Sequence, residues 1–118
     1  MIINGREVGF RRTVFASCAI AKRCPNGDLS RMAEIMSGDY AKAMENAANM
    51  AVALSEGYEK AKKFSDPSYE PHPLTMDEVM LLDIDEFTAL MNEVTACFQK
   101  DGQTTVQAAP EKKARGKG

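Results

Sequence analysis

The chain has 118 residues, of which 44% are apolar and 27% are charged, and its formal net charge is −2. This length suits one hydrophobic core, and the composition is that of a folded domain. The weak negative charge predicts no nucleic-acid partner. The lack of an apolar run of about 20 residues, or of an export signal, predicts no membrane partner and a cytoplasmic location.

Residues 1–12 predict a two-stranded β-hairpin. Asn4-Gly5 is the dipeptide most typical of a tight hairpin turn, and it separates two short runs of residues that favour strands. An isolated hairpin is only marginally stable. We therefore expect Ile3, Val8 and Phe10 to pack one face of it against the helices that follow.

Two short helices are predicted after the hairpin. Thr13 can cap the first, which ends in basic residues at Arg23. Asp28 can cap the second, whose apolar residues fall three and four positions apart as far as Met36. Ser37-Gly38 then predicts a break in the chain.

The longest helix is predicted to run from Asp39 to about Phe64. Along it, apolar residues recur at alternating steps of four and three, which is a heptad pattern. The positions are Tyr40, Met44, Ala47, Ala51, Leu54, Tyr58 and Ala61. We favour a core-facing helix of a bundle, and the alternative is a seam that receives a helix of a partner.

A proline-rich linker, residues 65–73, separates this helix from the second half of the chain, because proline disfavours helix at its own and the preceding position. Thr75 and Glu78 then predict a capping box at the start of a helix. Asp83 and Glu86 repeat the same pattern. A short helix is therefore expected to lead directly into a last one.

The last helix is predicted to end at Asp101-Gly102. Residues 103–118 are polar and finish in a lysine-rich segment, which predicts a flexible basic tail. The expected fold is mainly α, with a small helical domain (1–102) of about five helices, an N-terminal β-hairpin and a disordered C-terminal tail.

The sequence contains no recognisable catalytic, cofactor-binding or metal-binding motif. Its three cysteines form no C-x-x-C pair, and its one histidine, His72, lies between two prolines, where we expect an exposed loop. The acidic residues around Asp83 are explained as helix caps. We expect neither enzymatic activity nor a cofactor.

Methionine is frequent, with eight residues in 118. Its flexible thioether fills irregular cores, and it also suits surfaces that bind varied apolar helices. The methionines and the heptad pattern together predict a partner-binding surface. Its residues are Met32, Met36, Tyr40, Met44, Leu54 and Tyr58.

Several segments carry a resemblance to a known family. They are Ile2-Ile3-Asn4-Gly5-Arg6-Glu7, Gly27-Asp28-Leu29-Ser30, Pro73-Leu74-Thr75, the stretch from Phe98 to Gly102, and the Lys-rich end. In this order they resemble a tail assembly chaperone of long-tailed (siphovirus-like) bacteriophages or prophages. The resemblance extends over nearly the whole chain.

The resemblance implies a protein of the bacterial host cytoplasm that binds the phage tape measure protein and keeps it soluble while tail tube subunits polymerise around it. Such a chaperone is absent from the mature virion. These families often make a longer, frameshifted form whose extra domain recruits the tail tube protein, and residues from Gln103 would lie at that junction. The heptad pattern would also allow self-association.

Two other classes of protein fit the sequence. A small helical regulatory or DNA-associated protein would use the helices between Thr13 and Met36 as a helix-turn-helix, although Arg31 is the only basic residue on the second of them. A structural head or tail completion subunit would differ from a chaperone by remaining in purified virions.

Overall fold

A short antiparallel hairpin opens the chain in the computed structural model, which describes residues 1–104 and the side chains of residues 1–99. Strand β1 (Ile2–Ile3) pairs with strand β2 (Arg6–Glu7), with Ile3 opposite Arg6. Asn4 and Gly5 have φ angles of 52° and 79°, which suit the type I′ turns favoured in two-residue hairpins. The predicted hairpin is confirmed, although its strands end at Glu7.

The first helical region is built from short pieces. Helix α1 (Val14–Ala21) begins after Thr13, whose side chain accepts the predicted N-cap hydrogen bond. Two 3₁₀ turns, Pro25–Gly27 and Leu29–Arg31, lead into the four-residue helix α2 (Met32–Ile35). The predicted order of elements is confirmed, and α1 ends two residues before the predicted boundary.

Three more helices complete the fold, which is mainly helical with five helices as expected. Helix α3 (Tyr40–Ser65) begins after Asp39, whose side chain caps it. Helices α4 (Met76–Met80) and α5 (Ile84–Thr104) follow the linker. None of the helices in the described part of the chain has the length and apolarity required to cross a membrane.

Reciprocal capping boxes start both of the last two helices. The Thr75 hydroxyl accepts from the Glu78 backbone, and Glu78 accepts from the Thr75 backbone, at 3.2 and 3.0 Å. Asp83 and Glu86 make the same pair of hydrogen bonds, at 2.9 and 3.1 Å. Both predicted boxes are confirmed, and they fix the angle at which the chain enters each helix.

The predicted end of the last helix is wrong. Helix α5 continues through Asp101-Gly102 to Thr104, so the expected domain boundary at residue 102 falls inside it. A glycine inside a helix is unfavourable by only about 1 kcal/mol relative to alanine, which weakens the helix without ending it. The disordered tail was expected over residues 103–118. Residues 105–118 lie outside the part of the chain that the structure describes.

Helix α3 is the centre of the domain. No residue from Asn46 to Glu59 is exposed, and all of them are buried except the half-buried Asn49, Val52, Glu56 and Tyr58. Helices α1, α2, α4 and α5 all contact α3, and buried alanines at five positions along it leave room for them. The heptad residues in its middle therefore face the chain's own core.

Gly57 allows the start of α1 to lie directly on α3. A Cβ atom at Gly57 would be 2.3 Å from the Thr13 hydroxyl and 3.3 Å from the Arg11 carbonyl oxygen. The Arg11 backbone N–H donates to the Leu54 carbonyl at 3.1 Å, which fixes this crossing. Without a side chain at Gly57, the backbone before α1 can reach the backbone of α3.

Arg6 joins the hairpin to the second half of the chain. Its guanidinium donates two hydrogen bonds to the Glu78 carboxylate, at 2.8 and 3.2 Å, and further ones to the carbonyls of His72 and Pro73. The hydrogen bonds from Arg6 hold the pKa of Glu78 below its usual value. One arginine thus fixes the hairpin, the end of the linker and the start of α4 together.

We expect Gly57→Ala to lower the free energy of unfolding by roughly 1–3 kcal/mol, because the new methyl group displaces the Thr13 cap. Helix propensity alone would give the opposite sign, a gain of about 1 kcal/mol. Urea unfolding monitored by circular dichroism shows whether the variant is less stable or more stable than the unaltered protein. A more stable Gly57→Ala variant would show that α1 does not lie as close to α3 as described.

We expect stability to depend on pH through Glu78. Because its pKa is lowered in the folded state, its contribution is present above the ordinary carboxyl pKa of 4.5 and is lost as the pH falls through the lowered value. Glu78→Gln should therefore lower stability at pH 7 by about 1 kcal/mol and reduce the loss at acid pH. Denaturant titrations at pH 7 and below 4.5 measure both effects.

Glu70→Gln is the matched control for Glu78→Gln. Glu70 is exposed in the linker and makes no hydrogen bond or ion pair among the described residues. Its substitution should leave the pH dependence of stability as it is in the unaltered protein. Equal behaviour of the two variants would contradict the role given to Arg6 and Glu78.

Candidate functional site

Four of the six predicted partner-binding residues lie at the junction of α2 and α3. We call Met32, Met36, Tyr40 and Met44 the methionine face. Tyr40 is 66% exposed, whereas the three methionines are half-buried and two of them also pack against the core. Tyr40 and Met44 are one turn apart on α3, so their side chains are neighbours.

Asn46 fixes the two helices that carry the methionine face. Its side-chain amide donates to the Ile35 carbonyl at the end of α2, at 2.9 Å. Its carbonyl oxygen accepts from Arg23, just after α1, at 3.0 Å. A single buried polar side chain of α3 therefore sets the positions of α1 and α2 beside the face.

Leu54 is not available to a partner. Its side chain is 0% exposed and belongs to the hydrophobic core. The sequence placed it on the candidate surface because the heptad pattern extends through it, but other elements of this chain cover that part of α3. We therefore remove Leu54 from the candidate surface.

Tyr58 lies apart from the methionine face. It is 18 residues from Tyr40, which corresponds to about 27 Å along the helix. It lines a cavity of about 530 Å³ together with the segment after β2 and the last turns of α5. Its ring also lies so close to Gly9 that a Cβ atom there would be 2.5 Å away. The six predicted residues therefore fall in three places.

Two buried polar residues of α3 were missed by the sequence interpretation. The Ser55 hydroxyl accepts from the Leu74 backbone at 2.8 Å. The Glu59 carboxylate accepts from the Tyr69 hydroxyl at 2.6 Å and from the His72 backbone at 2.8 Å. These bonds hold the predicted extended linker against α3.

Ser55 and Glu59 are spaced one turn apart, which was the only available sign that they share a face. The hydrogen bonds to Glu59 also change the pKa of a linker side chain. Donation to the Glu59 carboxylate raises the pKa of Tyr69 to about 12. The His72 side chain is exposed, as predicted for a loop histidine. These groups hold the linker, and Glu59 also lines a cavity of about 240 Å³ together with Lys60, Lys63, Pro71 and Pro73.

Metal-binding and thiol groups are the remaining candidates for chemistry among the described residues. Within them, no three His, Cys, Asp or Glu side chains are grouped so that they could hold a metal ion. Cys24 is buried and donates to the Ile20 carbonyl, and burial raises the pKa of its thiol. A thiol in that state is a poor nucleophile at neutral pH. No protein-family profile, curated protein or solved structure matches the chain.

We expect Leu54→Ala to lower the free energy of unfolding by roughly 2–5 kcal/mol, because it leaves a cavity in the core. Tyr40→Ala should change it by less than about 0.5 kcal/mol, since the Tyr40 side chain is mostly in solvent. Thermal and urea unfolding of the two variants test this distinction. A small effect of Leu54→Ala would return Leu54 to the candidate surface.

Proposed function

We propose that the protein is a tail assembly chaperone of a long-tailed bacteriophage or prophage, which binds the tape measure protein and keeps it soluble. The observation that carries the proposal is the methionine face, where the exposed ring of Tyr40 lies one turn from the half-buried Met44 on α3, and the half-buried Met32 and Met36 lie in and just after α2. The resemblance noted in the sequence, from the Asn4-Gly5 hairpin to the lysine-rich end, supports the same function.

The methionine face suits a helical ligand. A tape measure protein offers long amphipathic helices, which aggregate unless their apolar stripes are covered. Methionine side chains adjust to many apolar shapes, and an exposed tyrosine supplies a large contact area with few rotatable bonds. Helix binding by an apolar surface of this kind needs no catalytic group and no cofactor.

The proposed role places the protein in the cytoplasm of the bacterial host and outside the mature virion. A longer frameshifted form, extended beyond the end of this chain, would recruit the tail tube protein to the same complex. Self-association through the middle of α3 is disfavoured, because that stretch of the helix is already covered.

One observation favours this proposal over the helix-turn-helix alternative, and an experiment distinguishes it from the completion subunit. A helix-turn-helix needs a second helix that reaches along the major groove, whereas α2 has only four residues. A structural completion subunit would be found in purified virions, and mass spectrometry of particles distinguishes it from a chaperone.

We expect co-expression with the longest coiled-coil protein encoded beside its gene to make that protein soluble and to co-purify the two. Tyr40→Asp should weaken the complex about tenfold or more, since it places a charge at the centre of the methionine face. Affinity purification with a tag on this chain measures both results. Tyr40 is used instead of Leu54 because a charge at Leu54 would unfold the core.

Phe64→Asp is the matched control, because Phe64 is also an aromatic residue of α3, is 88% exposed, and lies near the other end of the helix. It should leave co-purification unchanged, and circular dichroism should show both variants folded. If the coiled-coil protein stays insoluble with the unaltered chain, the chaperone proposal fails. If both variants bind equally well, the methionine face is not the binding surface.

A further inference from the structure

The joint between α4 and α5 exposes three large apolar side chains. Met80, Leu81 and Ile84 are 51%, 85% and 64% exposed, and they lie within one stretch of five residues. Val79, just before this stretch, is buried and Leu82 within it is half-buried, so these two already supply the contact with the core. The three exposed residues, which we call the apolar corner, have no packing role within the described structure.

Acidic residues surround the apolar corner. Between residues 64 and 99 the chain contains eight acidic residues and no lysine or arginine. Asp83 and Glu86 cap α5, and Glu78 is paired with Arg6. The side chains of Asp77 and Asp85 are exposed and make no hydrogen bond or ion pair among the described residues. Helix dipoles account for acids in these first turns, but they do not account for the exposed leucine and isoleucine beside them.

We propose that the apolar corner binds a cationic amphipathic helix of a partner protein. The apolar stripe of such a helix would cover Leu81 and Ile84, and its basic flanks would face the carboxylates of Asp77 and Asp85. The charges of the two surfaces are then opposite, which favours encounter and sets the orientation of the bound helix. Burial of the exposed apolar area supplies the affinity.

Other occupants fit these observations less well. An anionic lipid surface or a nucleic acid would be repelled by the same acidic residues, and so would the corner of a second copy. The chain's own tail is basic at Lys112, Lys113, Arg115 and Lys117, but no large apolar residue lies among them to cover Leu81. A helix that carries both lysines and leucines satisfies both parts of the surface.

The inference uses other residues than the methionine face and does not require the partner to be a tape measure protein. A loss of tape measure binding in Tyr40→Asp, with peptide binding at the corner unchanged, would separate the two proposals.

The probe is a fluorescently labelled 18-residue peptide of leucine and lysine patterned as an amphipathic helix. A control peptide has glutamate in place of every lysine. Fluorescence anisotropy with the full chain, at low and high salt, gives the dissociation constants.

We expect the lysine peptide to bind and the glutamate peptide to bind at least tenfold more weakly. Leu81→Ser should weaken binding of the lysine peptide about tenfold, because it removes the most exposed apolar side chain of the corner. The double variant Asp77→Asn, Asp85→Asn should weaken it at low salt and flatten its salt dependence. Phe64→Ser is the control, since Phe64 is exposed to the same degree and lies on another helix.

Three results would overturn the proposal. The first is equal binding of the two peptides, and the second is unchanged binding by Leu81→Ser in a folded variant. The third is a gain of tenfold or more in peptide affinity when the four basic residues of the tail are replaced by serine in the full chain. That gain would identify the tail of this chain as the occupant of the corner.

Discussion

The fold depends on a single helix that other elements cover over most of its circumference along its middle. A chain of this size has one core, and here the core is arranged around α3 instead of between two layers of equal weight. Such an arrangement requires small side chains on the central helix. Ala47, Ala48, Ala51 and Gly57 meet this requirement. Ala47 and Ala51, which belong to the predicted heptad pattern, are therefore among the residues that let the other elements approach.

Several segments of irregular backbone pack against α3. Their buried N–H and C=O groups need hydrogen-bond partners. Asn46, Ser55 and Glu59 meet this need, since each is buried on α3 and each bonds a segment outside the helix. Removal of any one of them would leave buried polar groups unpaired, which is more costly than the net value of the bond itself. The linker is thus held in place by α3, although its sequence is typical of a loop.

Local patterns predicted the elements well. The turn at Asn4-Gly5 and the capping boxes begun by Thr75 and Asp83 depend on neighbouring residues only, and all are present. The candidate site was harder to predict, because a heptad pattern shows that a face is apolar and does not show what covers it. Leu54 was misplaced for that reason, and the exposed Leu81 was missed because no local pattern shows whether an apolar residue between two short helices is covered.

The bonds between Arg6 and Glu78 join residues that are 72 positions apart in the chain. During synthesis at about 5–20 residues per second, roughly 4–14 s pass between the two residues leaving the ribosome's catalytic centre. The hairpin is marginal without its contacts, so Ile3 and Val8 lack their final surroundings for this interval. During this interval the apolar side chains of the hairpin are accessible to proteases and to chaperones of the cell.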